Sequence, residues 1–487
     1  MISEEKNFVD EFGNIHEVDV ELGRGGQGVV FRTQDPDIAI KLVLDANGLV
    51  KESETMEKKL RNLRLLPVPS NLPLAMPSAI LREKAGYAMR LLNDMVPFKH
   101  FWPTGGNDVA SPGQVTPSWL AGIPEEKARE LIHYVETGGL QRRLLALYQC
   151  SAILGRLHAA GLVYGDVSAA NAYVSKDLDS RAVWLIDGDN LRFETEGQGP
   201  GVYTPCFGAP ELAQGLDGGR PRTDCHAIAV MAFWMLTLQH PFLGDYVENG
   251  PSSDWADDET DQEDLTEKAY AGLLPWIDDE NDRSNATKNG LPRSLVLTGD
   301  LRRLFQETFG VGRTQPWRRP AMFHWPFFLA RALDLTISCP DCRMGYFSDG
   351  DEPHENCPFC GSRRPEILRA TAFGAADTAQ NPLWTFSREI GQSESEVFSL
   401  PHRLFFPFSI TDGDRDVLEI SFRKERIILR RLDQSSRTEF SVLLGKDRQD
   451  LSSTVELSRE SGIQGFVITI DGPSCRKVVF NFEKETS

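Results

Sequence analysis

Apolar and polar positions along the chain fall into three successive textures. In "VELGRGGQGVVFR", from Val20, the two alternate, pass through a turn holding Gly23, Gly25 and Gly28, and alternate again from Val29. That is the pattern of two strands joined by a glycine-rich turn. "DIAIK", closing on Lys41, and "GYAMRLLND" predict two more strands. Between them residues 49–66, "LVKESETMEKKLRNLRLL", place Met56, Leu60 and Leu63 at helical spacing and carry Glu52, Glu54 and Glu57. A helical texture follows, ending in "FFLARALDLTI"; its most apolar run, "AIAVMAFWMLTL" from Ala227, is too short to cross a bilayer and reads as a core helix. From about Phe398 short alternating runs ("RLFFPFSI", "DVLEISF", "RIILRRL", "EFSVLLG", "GFVITI") predict an antiparallel β-sandwich or barrel, with residues 367–397 as a linker before it.

The 487 residues suffice for two or three domains, and 40% hydrophobic with 25% charged residues is the make-up of a globular protein with packed cores. A formal net charge of −19 opposes a nucleic-acid phosphate backbone, so a nucleic-acid partner is not expected. The acidic start, "MISEEKNFVDEFG", lacks the basic-then-apolar order of a secretory signal, and the expected location is the cytoplasm, without a membrane partner. Of eight cysteines, four lie in "CPDC" and "CPFC"; Cys150, Cys206, Cys225 and Cys475 are scattered and read as small buried side chains.

The glycine turn leads into a strand, where a dinucleotide-binding fold would begin a helix, and this excludes that fold. Glycines let the backbone fold closely over a phosphate, and Lys41, thirteen residues after Gly28, is placed to reach the α- and β-phosphates of ATP. Downstream, "YGDVSAANAYV" sets Asp166 and Asn171 five residues apart, and "AVWLIDGDN" ends a strand in Asp187. "TPCFGAPEL" contains Ala209, Pro210 and Glu211; "TDCHAIAVMAFWML" opens with Asp224 nearby; "WRRPAMFHW" contains Arg319.

In this order, over residues 15 to 333, these motifs resemble a eukaryotic-like (Hanks-type) bacterial serine/threonine protein kinase. The resemblance implies an α+β, bilobal fold over residues 1–335, with an N-lobe to about residue 92 and a C-lobe over 93–335. It implies Asp166 as the residue that accepts or orients the substrate hydroxyl proton, Asn171 and Asp187 as magnesium ligands, and ATP and Mg2+ as cofactors. A glutamate of the first helix, Glu57 by its place one turn before Leu60, is expected to pair with Lys41, and Met89 to line the back of the nucleotide pocket. Arg319 is expected to pair with Glu211.

Three departures accompany the match. Gly165 stands where the family has an arginine that reads a phosphate on the activation segment, which argues against activation by loop phosphorylation. Ser168 replaces a lysine, removing a positive charge from the transferring group. Gly188 replaces the phenylalanine after the magnesium-binding aspartate, and Asp189 follows it as an added carboxylate, expected as a solvated loop residue or a further metal ligand. A pseudokinase that binds nucleotide as a scaffold is the alternative these departures favour.

Cys339-x-x-Cys342, fourteen residues, then Cys357-x-x-Cys360 and Gly361 match a closed tetrahedral Zn2+ site over residues 336–366, with His354 as a spare ligand nearby. The acidic stretch from Asp245 to Glu267 reads as a solvated insertion open to a basic partner. Arg423, Lys424, Arg426, Arg430 and Arg431 read as the wet face of strands or a site for an acidic partner. A kinase followed by a zinc ribbon also resembles bacterial kinases that accompany a von Willebrand A-type protein and a cognate phosphatase in stress or tellurite-resistance systems, which would make the protein substrate a dedicated partner.

Overall fold

The alternation at the start of the chain becomes six strands: β1 (Asn7–Val9), β2 (Ile15–Gly25), β3 (Gly28–Thr33), β4 (Ile38–Val43), β5 (Pro77–Ile80) and β6 (Gly86–Arg90). They form one antiparallel sheet in the order β1-β2-β3-β4-β6-β5. The structure, a computed structural model, describes residues 7–25, 28–45, 47–51, 54–103, 117–194, 201–250, 258–348, 355–374, 382–391, 395–408, 415–432, 438–471 and 476–483. Because side chains alternate across a strand, Ile40, Leu42 and Ala88 fill one face of the sheet with Phe8 and Val29. The other face carries Ala39, Tyr87 and Met89 into the main core, and Lys41 with them. Helix α1 (Glu54–Leu63) packs Leu60 and Leu63 against the same core.

Most of the remaining helices surround Pro221–Thr237, in which Ala227–Phe233, Met235 and Leu236 are all buried. A uniformly apolar run is needed there because the helix is covered on every side. Among the described residues no helix is long and apolar enough to cross a membrane. Cys150 and Cys225 are buried as expected and Cys206 is half-buried, while Cys475 lies outside the described residues. The acidic stretch does not run as one loop: it contains the helices Asp245–Asn249 and Asp258–Tyr270, the second anchored by buried Leu265 and Ala269.

Two histidines lie inside this helical core. His226 stacks on Phe242 and meets Phe309 edge-on, and neither ring nitrogen has a hydrogen-bond partner. His240 engages the Cys206 carbonyl through Nε2 at 3.0 Å and accepts the Phe242 N–H through Nδ1 at 3.2 Å. Burial pushes His226 well below the usual histidine value and His240 down to about 4. Both are therefore neutral when folded but protonate below about pH 6.5 when unfolded. Stability is full above that pH and falls as the pH drops toward the folded values, by about 2 kcal/mol per histidine at pH 5 relative to pH 8. The urea midpoint is expected to fall accordingly, and His226→Phe to remove about half of that fall; an unchanged pH profile in the variant would refute the assignment.

The C-terminal strands form two antiparallel sheets around one core. One has six strands, in spatial order Trp384–Ile390, Glu366–Gly374, Arg476–Glu483, Phe466–Asp471, Glu439–Leu444 and Asp447–Asp450. The other has Ser395–Pro401, Asp416–Arg423, Arg426–Arg431 and Thr454–Ser458. Separate sheets facing a shared core make a sandwich and not a barrel. The expected linker over 367–397 is not a linker, since it supplies two strands of the larger sheet and the first of the smaller. Its inward positions include Ala370 and Ala372, too small to register as an apolar alternation. The basic cluster lies on the outer surface: Arg426 pairs with Glu456 and Arg430 with Glu419, while Arg431 is buried over the Phe440 ring.

The sandwich rests on the helix His324–Leu335 through Ala330 and Phe327. There Asp334, 2% exposed, accepts from Trp384 Nε1 at 2.8 Å and from Arg403 Nε and Nη2 at 2.7 and 2.6 Å.

Candidate active site and cysteine cluster

The glycine turn is built unevenly. A Cβ on Gly28 would lie 2.7 Å from the Leu42 carbonyl and 3.3 Å from Lys41 Cε, so only glycine lets β3 approach β4 at that point. Gly23 and Gly25 have nothing within 4 Å of such an atom. They leave the inner surface of the turn open to a ligand.

Lys41, from β4, reaches across to the turn after strand Val183–Leu185, where its Nζ lies 2.9 Å from Asp187 Oδ1 and 3.3 Å from Asp189 Oδ1. Burial alone would lower the Lys41 pKa, but Asp189 and Asp187 outweigh it and the net shift is upward, so the ammonium is kept charged. Asp187 is held left-handed, at φ 55° and ψ 38°. Aspartate tolerates that conformation better than most residues, at a cost of about 1 kcal/mol.

The opposite wall comes from the loop between strands Leu162–Val163 and Ala172–Ser175. Asp224, at the start of the central helix, receives the N–H groups of Tyr164 and Gly165 at 2.9 Å each and contacts His158 Nε2 at 2.9 Å. One buried carboxylate thus pins the loop backbone just before Asp166. Gly165 sits at φ 89°, a conformation that an arginine would occupy only with strain. Asn171 Nδ2 donates to Asp166 Oδ2 at 3.0 Å and to its carbonyl at 2.9 Å, which leaves the amide oxygen for a cation. The Ile186 N–H donates to the Asn171 carbonyl at 2.9 Å and draws Asp187 alongside. Carboxylate and amide oxygens are hard donors that fit Mg2+.

Burial raises the Asp166 pKa above the ordinary carboxylate value, against the opposing hydrogen bonds of Thr204 and Asn171. Thr204 Oγ1 donates to Asp166 Oδ1 at 2.9 Å. The sequence reading did not single out this threonine, although it lies only five residues before Ala209 in the quoted "TPCFGAPEL". Beside it a groove of about 540 Å3 is lined by Tyr203 and Pro205 on one side and by Asp264 and Glu267 of the acidic helix on the other. Glu211 and Arg319 form the expected pair, bidentate at 2.6 and 2.7 Å and buried, so that the segment carrying Thr204 is anchored at its far end.

Two expectations need correction. Glu57 does not meet Lys41: it is half-buried and bonded to Arg61 four residues on, at 2.9 and 2.6 Å, the nearest partner along its own helix. Asp189 is not a solvated loop residue: it is 5% exposed and holds Lys41, Lys59 and the Tyr87 hydroxyl. Glu52 and the side chain of Glu54 lie outside the described residues, as does His354. Met89 is buried on the core side of β6, next to Tyr87 on the same face. Ser168 is buried, and its hydroxyl has no hydrogen-bond partner among the described residues.

Cys339, Cys342, Cys357 and Cys360 come together with all four sulfurs within 4.8 Å of one another. The Cys339–Cys360 and Cys342–Cys357 Sγ separations are 3.6 and 3.7 Å. A tetrahedron with Zn–S bonds of about 2.3 Å has edges of about 3.8 Å. A disulfide would need about 2.05 Å. Each knuckle closes with the residue after its second cysteine left-handed, Arg343 at φ 59° and Gly361 at φ 75°, and with that residue's N–H on the carbonyl of the first cysteine at 2.9 Å. This cluster is no appendage. Cys339, Cys342, Met344, Tyr346 and Cys357 belong to the main core, and a Cβ on Gly345 would lie 2.9 Å from Leu140 Cβ.

Comparison with known proteins adds one partial likeness. A stretch of 100 residues, 19% of this chain, is 32% identical to the serine/threonine-protein kinase GRIK1 of Arabidopsis thaliana. The chain spans about a quarter of that relative's length, 24%. No protein-family model matches the chain.

Proposed function

We propose that this chain is a bilobal protein kinase, dependent on ATP and Mg2+, that transfers a phosphoryl group to serine or threonine of a protein partner. The observation that carries this reading is an unbroken path of contacts from Lys41 through Asp187, Ile186 and Asn171 to Asp166. It joins residues far apart in sequence in the order that phosphoryl transfer requires.

The glycine turn covers the nucleotide, and the Lys41 ammonium holds its phosphates. Asp187 and the Asn171 amide oxygen would hold magnesium, which when bound would supply charge neutralisation at the phosphates. Asp166 takes the proton from the acceptor hydroxyl; burial raises its pKa, which makes it a better base than an ordinary carboxylate. Thr204 fixes one Asp166 oxygen and Asn171 the other, so the base cannot rotate away from the acceptor. The groove beside Thr204 receives the flanking peptide; Lys268, which also lines it, is paired with Asp264, and Glu267 is the carboxylate left on that wall to favour a basic side chain. A dedicated partner protein, paired with a phosphatase, is the substrate this reading expects. The cysteine cluster holds Zn2+ structurally, since four thiolates leave no open position for a water or substrate.

Ser168 and Gly188 favour a second reading, a nucleotide-binding scaffold without transfer. The two part on incubation with labelled ATP and magnesium in the presence of serine-containing basic peptides. Label on peptide serine or on the chain itself, lost with Asp166→Asn, is the expected result. Nucleotide binding without any label transfer would establish the scaffold instead.

A further inference from the structure

Lys41 lies between two carboxylates that belong to a single turn, Asp187 and Asp189, and the turn is pressed hard against its neighbour. A Cβ on Gly188 would lie 2.5 Å from Met76 Sδ and 3.2 Å from the Ala75 carbonyl. The Ala75 N–H donates to the Leu185 carbonyl, and the Leu185 N–H to that of Pro73, at 2.8 and 2.9 Å. Gly188 is thus the residue that lets the turn dock, and docking sends Asp189 inward. Its Oδ1 receives Lys41 at 3.3 Å and the Tyr87 hydroxyl at 2.9 Å, and its Oδ2 receives Lys59 of α1 at 3.5 Å. With both oxygens engaged, Asp189 is not placed as a metal ligand.

We propose that Asp189 is the positioning residue for Lys41, and that α1 is tied to the site through Lys59, a cation, in place of a helix glutamate. The inference rests on the reading of Lys41 and Asp187 as phosphate- and magnesium-binding residues. A cation on Asp187 would compete with Lys41 for that carboxylate and weaken their 2.9 Å contact. Asp189 is then the carboxylate that remains bonded to Lys41 among the described residues. Two aspartates against two lysines also leave the cluster electrically balanced, with Lys41 and Asp189 buried and Lys59 reaching in from the exposed surface of α1.

The test uses the full chain with Asp189→Asn, Asp189→Glu, Lys59→Met and Glu57→Gln. Acetic anhydride labelling of Lys41, read by mass spectrometry without nucleotide, is compared with KM for ATP and kcat. Asp189→Asn is expected to speed Lys41 labelling at least fivefold and to raise KM tenfold or more. Asp189→Glu should restore most of both, and Glu57→Gln should alter neither. Lys59→Met should speed hydrogen exchange of α1 amides while leaving Lys41 labelling within twofold. Folded Asp189→Asn with unchanged labelling overturns the proposal, as does Glu57→Gln reproducing the effect. Should Asp189→Asn fail to fold, unchanged exchange in Lys59→Met is the overturning result. A wild-type chain that transfers no phosphate removes the kinase reading alone, because labelling still decides the Lys41–Asp189 pairing.

Discussion

Replacing Asp166 with asparagine is expected to lower phosphoryl transfer by about two to four orders of magnitude, with ATP affinity changed by less than about twofold. The separation of the two effects follows from geometry. Asp166 contacts Thr204 and Asn171, not Lys41 or Asp187, so its loss removes the proposed proton acceptor and leaves the Lys41–Asp187 contact in place; the Asn171 side chain keeps its bond to the carbonyl of residue 166. Asparagine keeps the size and an oxygen for the Thr204 hydroxyl, so the loop stays folded. Single-turnover kinetics and calorimetric titration with ATP measure the two quantities separately. A tenfold loss of ATP affinity would show that Asp166 orders the nucleotide site instead of serving as base.

Replacing Cys357 with serine, or removing metal with a chelator, is expected to have the largest effect on stability. Structural Zn2+ sites contribute about 10–16 kcal/mol of binding free energy that is also folding free energy. Here the loss reaches beyond the knuckles, because Cys339, Cys342, Tyr346 and Cys357 pack in the same core as the helix Gly139–Ala159, which runs toward the Asp166 loop. Elemental analysis should find one zinc per chain in the wild type and none in the variant. The variant's far-UV signal should melt well below the wild type's or show no cooperative transition. A metal-free wild type that melts normally would refute the zinc assignment.

Much of the candidate site was legible because its chemistry constrains short spacings. Asp166 and Asn171 share one loop, Asp187 lies in the turn just after a strand, and Lys41 lies inside another, so each is marked by its immediate neighbours. Glu57 was misplaced because helical periodicity identifies a face and not the partner that face meets. Arg61, one turn away, offers a nearer cation than Lys41. Asp189 was misread because whether a loop carboxylate is solvated depends on how the loop docks, and docking here turns on the absence of a side chain at Gly188. The depth of the cysteine cluster in the core depends on contacts with Leu140, about two hundred positions earlier. The strand over 366–374 escaped notice because Ala370 and Ala372 line its inner face, and the one over 384–390 because its alternation stops after Trp384 and Phe386.

The Asp334 junction bears on how a substrate would meet the site. A domain on a flexible tether raises the local concentration of its cargo only to the millimolar range, because the linker samples many positions. Here a buried carboxylate is shared by Trp384 and Arg403, and the sandwich is packed on Ala330 and Phe327, so no slack intervenes between the two bodies. A protein bound to the sandwich would be offered to Asp166 at one distance and one bearing. Whether a given serine is reached would then be settled by the cargo's shape and not by the length of any tether.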